Sequence, residues 1–228
     1  MFEQLTSHVY YRLHEVYSDR PTIGYIRGEK ASLLFEAGSS PKHAESIRQE
    51  LAEKQLPMPS YVAVSHWHWD HTFGLCAWDV PTIAGKATNW HLRKQQQLPW
   101  DDASVAKRVE KHEEINFCYQ MMKREFGDTA NVRVVPADLE FEKELSIDLG
   151  GVTCRLITAH GPHSYDSVIC YIPEDRFVFL GDSSGNCTCR RHDTSRSFRQ
   201  RAHRLNAYYF REQKEPFKPL YRAYPLHR

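Results

Sequence analysis

No apolar run in this 228-residue chain approaches the roughly 20 residues that a bilayer-spanning helix needs. Residues 1–17 carry an early glutamate and no apolar central segment, so they do not read as a secretory signal. The six cysteines, Cys76, Cys118, Cys154, Cys170, Cys187 and Cys189, are too scattered for a disulfide framework. Three of them fall in apolar strand-like or helical segments, which reads as buried thiols in a reducing compartment. Together these absences give a cytoplasmic expectation with no membrane partner. Internal repeats and low-complexity segments are also missing.

What remains is ordinary for a globular protein, with 41% hydrophobic and 26% charged residues. A chain of this length buries most of its unfolded surface as one domain without disulfide staples. The net charge of +1 hides an asymmetry: residues 187–228 hold 11 Lys and Arg against 3 acids, with three Leu and no Ile or Val. That stretch cannot form a regular apolar stripe. The expected organisation is therefore a folded domain over residues 1–186 and an Arg-rich tail over 187–228.

Up to Gly185 strand-like and helix-like segments alternate. Residues 22–27 and 31–36 read as strands joined at Gly28, and Ser40-Pro41 reads as the N-cap and first position of a helix running to about Leu56. Residues 61–64 (YVAV) read as a buried strand, and residues 81–84 as another. A helical insertion spans about 87–130, interrupted at Pro99 and restarted by Asp101 or Asp102. Strand signals return at 132–135, 152–158, 168–172 and 177–180, with turns at 148–151 and 173–175. This alternation predicts an α/β layered domain.

The chemistry concentrates in Ser65-His66-Trp67-His68-Trp69-Asp70-His71, directly after the strand 61–64. His66 and His68, two apart on an extended chain, face the same side and can address one cation. Asp70 and His71 then lie at a turn, free to face a neighbouring cation. Imidazole and carboxylate at this density suit Zn²⁺ or a similar transition metal. Trp67 and Trp69 alternate with these residues and are expected to point into the sheet packing. Two later loops add donors: His160 and His163 in the segment 157–167, and Asp182 after the strand 177–180. Three such loops following three buried strands predict one site at a shared sheet edge.

The pattern His-x-His-x-Asp-His, followed in order by these loops, resembles the metallo-β-lactamase superfamily over about residues 20–186. The resemblance implies an αβ/βα sandwich of two mixed sheets flanked by helices. It implies that His66, His68 and a later histidine hold a first metal. The loop Pro162-His163-Ser164-Tyr165-Asp166-Ser167 is similar to the family's Gly-His-Thr-x-(Gly/Asp)-(Ser/Asn) segment, which selects His163 over His160. Asp70 and His71 would belong to the second metal, and Asp182 resembles the carboxylate that bridges both. Two zinc ions are the expected cofactors, with iron or manganese as alternatives.

A hydroxide held between two such metals would attack an ester, thioester, lactone or phosphodiester of a small substrate, with Asp70 orienting the water or shuttling its proton. His160 and Tyr165 are expected either to support the metal ligands from behind or to contact the substrate. The insertion carries Trp90, Trp100, Phe117, Tyr119, Met121, Met122 and Phe126, read chiefly as helix packing and secondarily as a lid over the metals. One departure stands out: nothing after Asp182 resembles the family's last Gly-His ligand, since His192, His203 and His227 lack a preceding glycine and apolar strand. The tail composition fits a truncated or frameshifted terminus. The alternative function is thus a catalytically impaired metal-binding protein with an incomplete second site. Cys187-x-Cys189 with His192 is a weak metal motif, a nucleic-acid partner is not expected, and a homo-oligomer is left open.

Overall fold

The computed structural model describes residues 1–183 and, as backbone only, Ala207–Tyr209. Its first sheet runs in chain order: β1 (Glu3–Gln4), β2 (Val9–Arg12), β3 (Ile23–Arg27), β4 (Ser32–Phe35), β5 (Tyr61–Ala63), β6 (Thr82–Gly85) and β7 (Leu139–Phe141). The pairs up to β3–β4 are antiparallel, and β4–β5, β5–β6 and β6–β7 are parallel. Parallel neighbours need long crossovers. The β4–β5 crossover contains α1 (Pro41–Glu53), where the Ser40 side chain accepts from the His43 amide and Pro41 fits the first turn. The buried residues His43, Ala44, Ile47 and Leu51 form its inward stripe.

The second sheet has the order β12 (Ala207–Tyr209), β11 (Phe177–Phe179), β10 (Val168–Ile172), β9 (Thr153–Thr158) and β8 (Glu144–Asp148), and all its pairs are antiparallel. The two sheets with their helices realise the expected fold class; the first is mixed and the second is antiparallel throughout its described strands. Strand alternation divides the core in two. Phe35, Ala63 and Ile83 of the first sheet pack with Leu156, Cys170 and Phe179 of the second. On the other face, Tyr25, Leu34, Val62 and Ala84 pack with Ile47 and Leu51 of α1. The same layer includes residues of α3 (Lys86–Gln95), α4 (Asp102–Glu110) and α5 (Asn116–Phe126).

Several expectations need correcting. Residues 132–135 form no strand. Val132 and Val134 are buried in the helical core layer, so their alternation reflects one buried face of an extended segment, while β7 takes the ladder position beside β6. The strands β1, β2, β7 and β8 went unread because they are short or half-exposed and rich in polar residues. The helix restart is capped by Asp101, which accepts from the Ser104 amide. Within the insertion, Trp100, Met121 and Met122 are buried against the sheet, whereas Trp90 and Phe117 are exposed. Cys154 and Cys170 are buried free thiols, and Cys76 and Cys118 are free but only partly buried. Of the expected tail, β12 lies in the second sheet, and the rest of 184–228 falls outside the described residues. No described helix is long and apolar enough to cross a membrane.

Candidate metal centre

The segment after β5 turns from extended backbone into a single helical turn, α2 (Trp69–Thr72). His66 is buried, and its Nε2 lies 2.9 Å from His68 Nδ1. His163, on the loop after β9, brings its Nε2 to the same His68 nitrogen, also at 2.9 Å. One proton on His68 Nδ1 can satisfy only one of these neighbours, whereas a cation satisfies three converging lone pairs. Burial, then the neighbouring His71, His68 and His163, pushes the His66 imidazole well below its ordinary value. Burial likewise pushes His68 down to about 4, with His163 and His71 adding to it and Asp70 and Asp166 opposing. Neutral imidazole is the form that ligates metal, so the donor set fits a transition-metal ion.

A second group, His66, His71 and Asp182, has donor atoms equally close together, and both groups are geometrically able to hold an ion. His71 is enclosed by carboxylates. Its Nε2 is 3.1 Å from Asp70 Oδ2 and 3.8 Å from Asp182 Oδ2, while its Nδ1 is 3.1 Å from Glu36 Oε2. The Glu36 contact is close without forming a hydrogen bond, so it acts electrostatically. Burial lowers the His71 value, but Asp70, Glu36 and Asp182 outweigh it and hold the ring well above the ordinary range. Asp182 is also pushed up by burial, yet His71 and then the other histidines bring it down to about 2. Asp182 Oδ2 lies 3.5 Å from His163 Nε2, which puts this carboxylate between the two groups.

The loops come from both sheets, and their register is fixed by short contacts. The site therefore lies between two sheet ends, not at the single shared edge expected from sequence. Asp166 Oδ2 accepts from the Trp67 amide at 3.0 Å, and its other oxygen accepts from Ser164 Oγ. The Val168 amide donates to Ser65 O at 2.7 Å, joining the start of β10 to the end of β5. Gly181 has φ +51°, and a Cβ there would come within 2.6 Å of Ser65 Cβ and Oγ. Only glycine lets the turn after β11 approach Ser65 this closely.

Of the sequence-predicted residues, His66, His68, Asp70, His71, His163 and Asp182 are brought together. His160 is not among them: its exposed ring stacks on Tyr165, with centroids 4.1 Å apart and planes at 8°, and Tyr165 is itself 74% exposed. Trp69 packs into the helical core layer, but Trp67 does not. It stacks on His91 of α3 at 5.0 Å and 16°, because β5 ends at Ala63 and the backbone bends over residues 65–67, which breaks the strand alternation. Cys187, Cys189, His192, His203 and His227 lie outside the described residues. Sequence reading missed Glu36, buried at the end of β4 with φ +83°, whose Oε2 also accepts from the Ser65 amide at 3.2 Å. Its signal was a lone charge after the apolar run SLLF, like Asp182 after its own strand.

A family model described as the metallo-beta-lactamase superfamily matches residues 19–223. Among solved structures, the metallo-beta-lactamase of Cronobacter sakazakii aligns at TM-score 0.53 and 20% identity, over 80% of this chain and 61% of that one. That of Pontibacter korlensis aligns at 0.52 and 15%, over 79% and 70%. BJP-1, a subclass B3 metallo-beta-lactamase of Bradyrhizobium japonicum, aligns at 0.51 and 17%, over 75% and 56%. These likenesses concern the fold. The chain spans about three fifths of the Cronobacter protein's length. No curated protein matches.

Proposed function

Since the chain belongs to the metallo-beta-lactamase superfamily, we propose that it is a metal-dependent hydrolase with a dinuclear centre, most simply of zinc, acting on an ester-like bond of a small molecule. The observation that carries this reading is the convergence of His66 Nε2 and His163 Nε2 on His68 Nδ1, with Asp182 Oδ2 3.5 Å beyond His163. His66, His68 and His163 would hold one ion, and Asp70, His71 and Asp182 the other, with Asp182 between them. Divalent ions so held supply water activation near neutral pH and Lewis-acid polarisation of a carbonyl or phosphoryl group.

The chain's own groups do the rest. Asp70 beside Nε2 and the Glu36 charge facing Nδ1 favour one orientation of the His71 ring. Asp70 has one oxygen beside His71 Nε2, leaving the other to orient the attacking water or take its proton. His160 and Tyr165 form an exposed stacked pair on the loop that carries His163, suited to the wall of a substrate site. An ester, thioester, lactone or phosphodiester is the substrate class this chemistry serves.

The test is bound metal per chain by plasma mass spectrometry, followed by hydrolysis assays across those four bond types. About two equivalents with turnover lost on chelation support the reading. Protein that binds metal but hydrolyses none of them would instead be a metal-binding relative without catalysis, and protein that binds no metal would remove the basis of both.

A further inference from the structure

The two tryptophans of the histidine segment have opposite fates. Trp69 is buried in the helical core layer, whereas Trp67 is only half-buried. Of the three imidazoles that converge, His66 is buried, but His68 and His163 are half-buried. The first ion position therefore opens to solvent past His68 and His163. Trp67 borders that opening: its indole meets the His68 ring edge to face, with centroids 4.7 Å apart and planes at 77°.

From Trp67 the rings continue outward. The indole stacks on His91 at 5.0 Å and 16°, and His91 meets Trp90 edge to face at 4.8 Å. An unbroken run of rings thus leads from a ligand histidine to Trp90, which is 51% exposed. One residue holds both members of the stack. Asp166 Oδ2 accepts from the Trp67 amide at 3.0 Å, and Asp166 O accepts from Thr88 Oγ1 in the first turn of α3 at 3.3 Å. Asn89 pins the same helix, with Nδ2 donating to Ala137 O at 3.1 Å and Oδ1 accepting from the Ala137 amide at 2.7 Å. Rings fixed in advance lose little freedom when another ring packs on them.

The charge around the stack also selects. Burial holds His91 below the ordinary imidazole range, with Asp166 opposing and Lys94 adding to it, so the ring is neutral at pH 7 and offers an aromatic plane. Lys94 Nζ stands 3.6 Å over the Trp90 ring, which disfavours a cationic group at this end.

We propose that the Trp67–His91 stack is the recognition face for an uncharged aromatic group of the substrate, carried next to the bond that the metal centre addresses. Trp67 makes the contact, and His91 is a positioning residue that backs the indole. The inference rests on the metal-centre reading above and names its substrate class, an ester-like compound with an aryl substituent.

The experiment measures the binding of three carboxylates to zinc-loaded protein by titration calorimetry: acetate, phenylacetate and cyclohexylacetate. Each carboxylate is a ligand for zinc, and the three differ only in what lies beside it. Phenylacetate is expected to bind about 10-fold or more tightly than acetate, with cyclohexylacetate between them. Trp67→Phe should keep that order, and Trp67→Leu should lose most of the phenyl preference at unchanged acetate affinity. His91→Ala, on α3 and away from the histidine segment, should cut the preference by about 3- to 10-fold, and it decides the matter if Trp67→Leu fails to fold or to hold zinc. Equal binding of phenylacetate and acetate, or of phenylacetate and cyclohexylacetate, would overturn the proposal. So would a phenyl preference undiminished in the folded, zinc-loaded variants. Zinc counted on the wild type beforehand separates the two readings: protein that holds none removes the metal centre, and the proposal falls with it. A phenyl preference in zinc-loaded protein that hydrolyses none of the four bond types would uphold the recognition face and remove the hydrolase.

Discussion

The Trp67 amide donates to Asp166 Oδ2 across 3.0 Å, and this contact joins the loop after β9 to the segment after β5. His163 and His68 sit on the two sides of that junction, 2.9 Å apart at their ring nitrogens. Asp166 is buried, so deleting its acceptors strands the Trp67 N–H as well as the Ser164 hydroxyl. Asp166→Ala should cost about 1–3 kcal/mol of stability. It should also weaken the first metal by about 10- to 100-fold, by freeing His163 to move. Asp166→Asn keeps an acceptor for Trp67 and should recover most of both losses. Denaturant unfolding with zinc competition reads the two effects, and equal defects in the two variants would remove the tether from the account.

Glu36 carries the next expectation. Its Oε2 stands between His71 Nδ1 and the Ser65 amide, at 3.1 and 3.2 Å. Glu36→Gln preserves volume and an acceptor for Ser65 but removes the charge that faces His71. The second metal should weaken by about 10- to 100-fold with little change in the first. Identical zinc affinities in wild type and variant would show that the Glu36 charge contributes nothing to the centre.

How much of this was legible beforehand depended on the distance over which each feature is encoded. The strands before His66, before His163 and before Asp182 announce themselves as apolar runs ending in ligand-type residues, and all three are present. The capping pair Ser40-Pro41 is a signal two residues long, and it fixes the start of α1. Glu36 was invisible for the opposite reason. Glu36 acquires its role only because β4 pairs in parallel with β5. Trp67 was misplaced because strand alternation was carried past Ala63, where β5 ends and the backbone bends over residues 65–67.

Stability of the metal-free protein should fall on both sides of neutrality. His71 is raised in the fold, so its contribution is fully present below about 6.5 and is lost as pH rises through the elevated value. His68 is lowered to about 4, so its penalty grows as pH falls below the unfolded value and stops growing near the folded one. His66 acts in the same direction as His68. Thermal midpoints of chelator-treated protein measured from about pH 5 to pH 10 should therefore pass through a maximum, and His71→Asn should flatten its alkaline side. An alkaline limb that persists unchanged in the variant would assign the loss to some other group.

Tyr165 tests the substrate wall without touching the donors. Its ring is 74% exposed and packs face to face with His160. Removing an exposed ring should change stability by no more than about 0.5 kcal/mol. Tyr165→Ala should leave metal content intact and raise KM for the best substrate of the ester-like panel. Unaltered kinetics would move the substrate site elsewhere on the rim.

Gly181 separates a backbone requirement from a steric one. At φ +51° any side chain is strained, and a methyl group would also stand 2.6 Å from Ser65 Cβ and Oγ. Gly127, at φ +74° after α5, has nothing within 4 Å of the same position. Gly127→Ala should thus cost about 1–2 kcal/mol from backbone strain alone and leave metal binding unchanged. Gly181→Ala should add about 1–3 kcal/mol of overpacking. Because Asp182 is the next residue, relief of that clash must shift its carboxylate away from its places 3.5 Å from His163 and 3.8 Å from His71. The second zinc should then be lost before the fold is. Unfolding curves and zinc counts for the two variants decide it: equal losses of stability, with zinc retained in both, would mean that the turn after β11 can retreat from Ser65 without disturbing the centre.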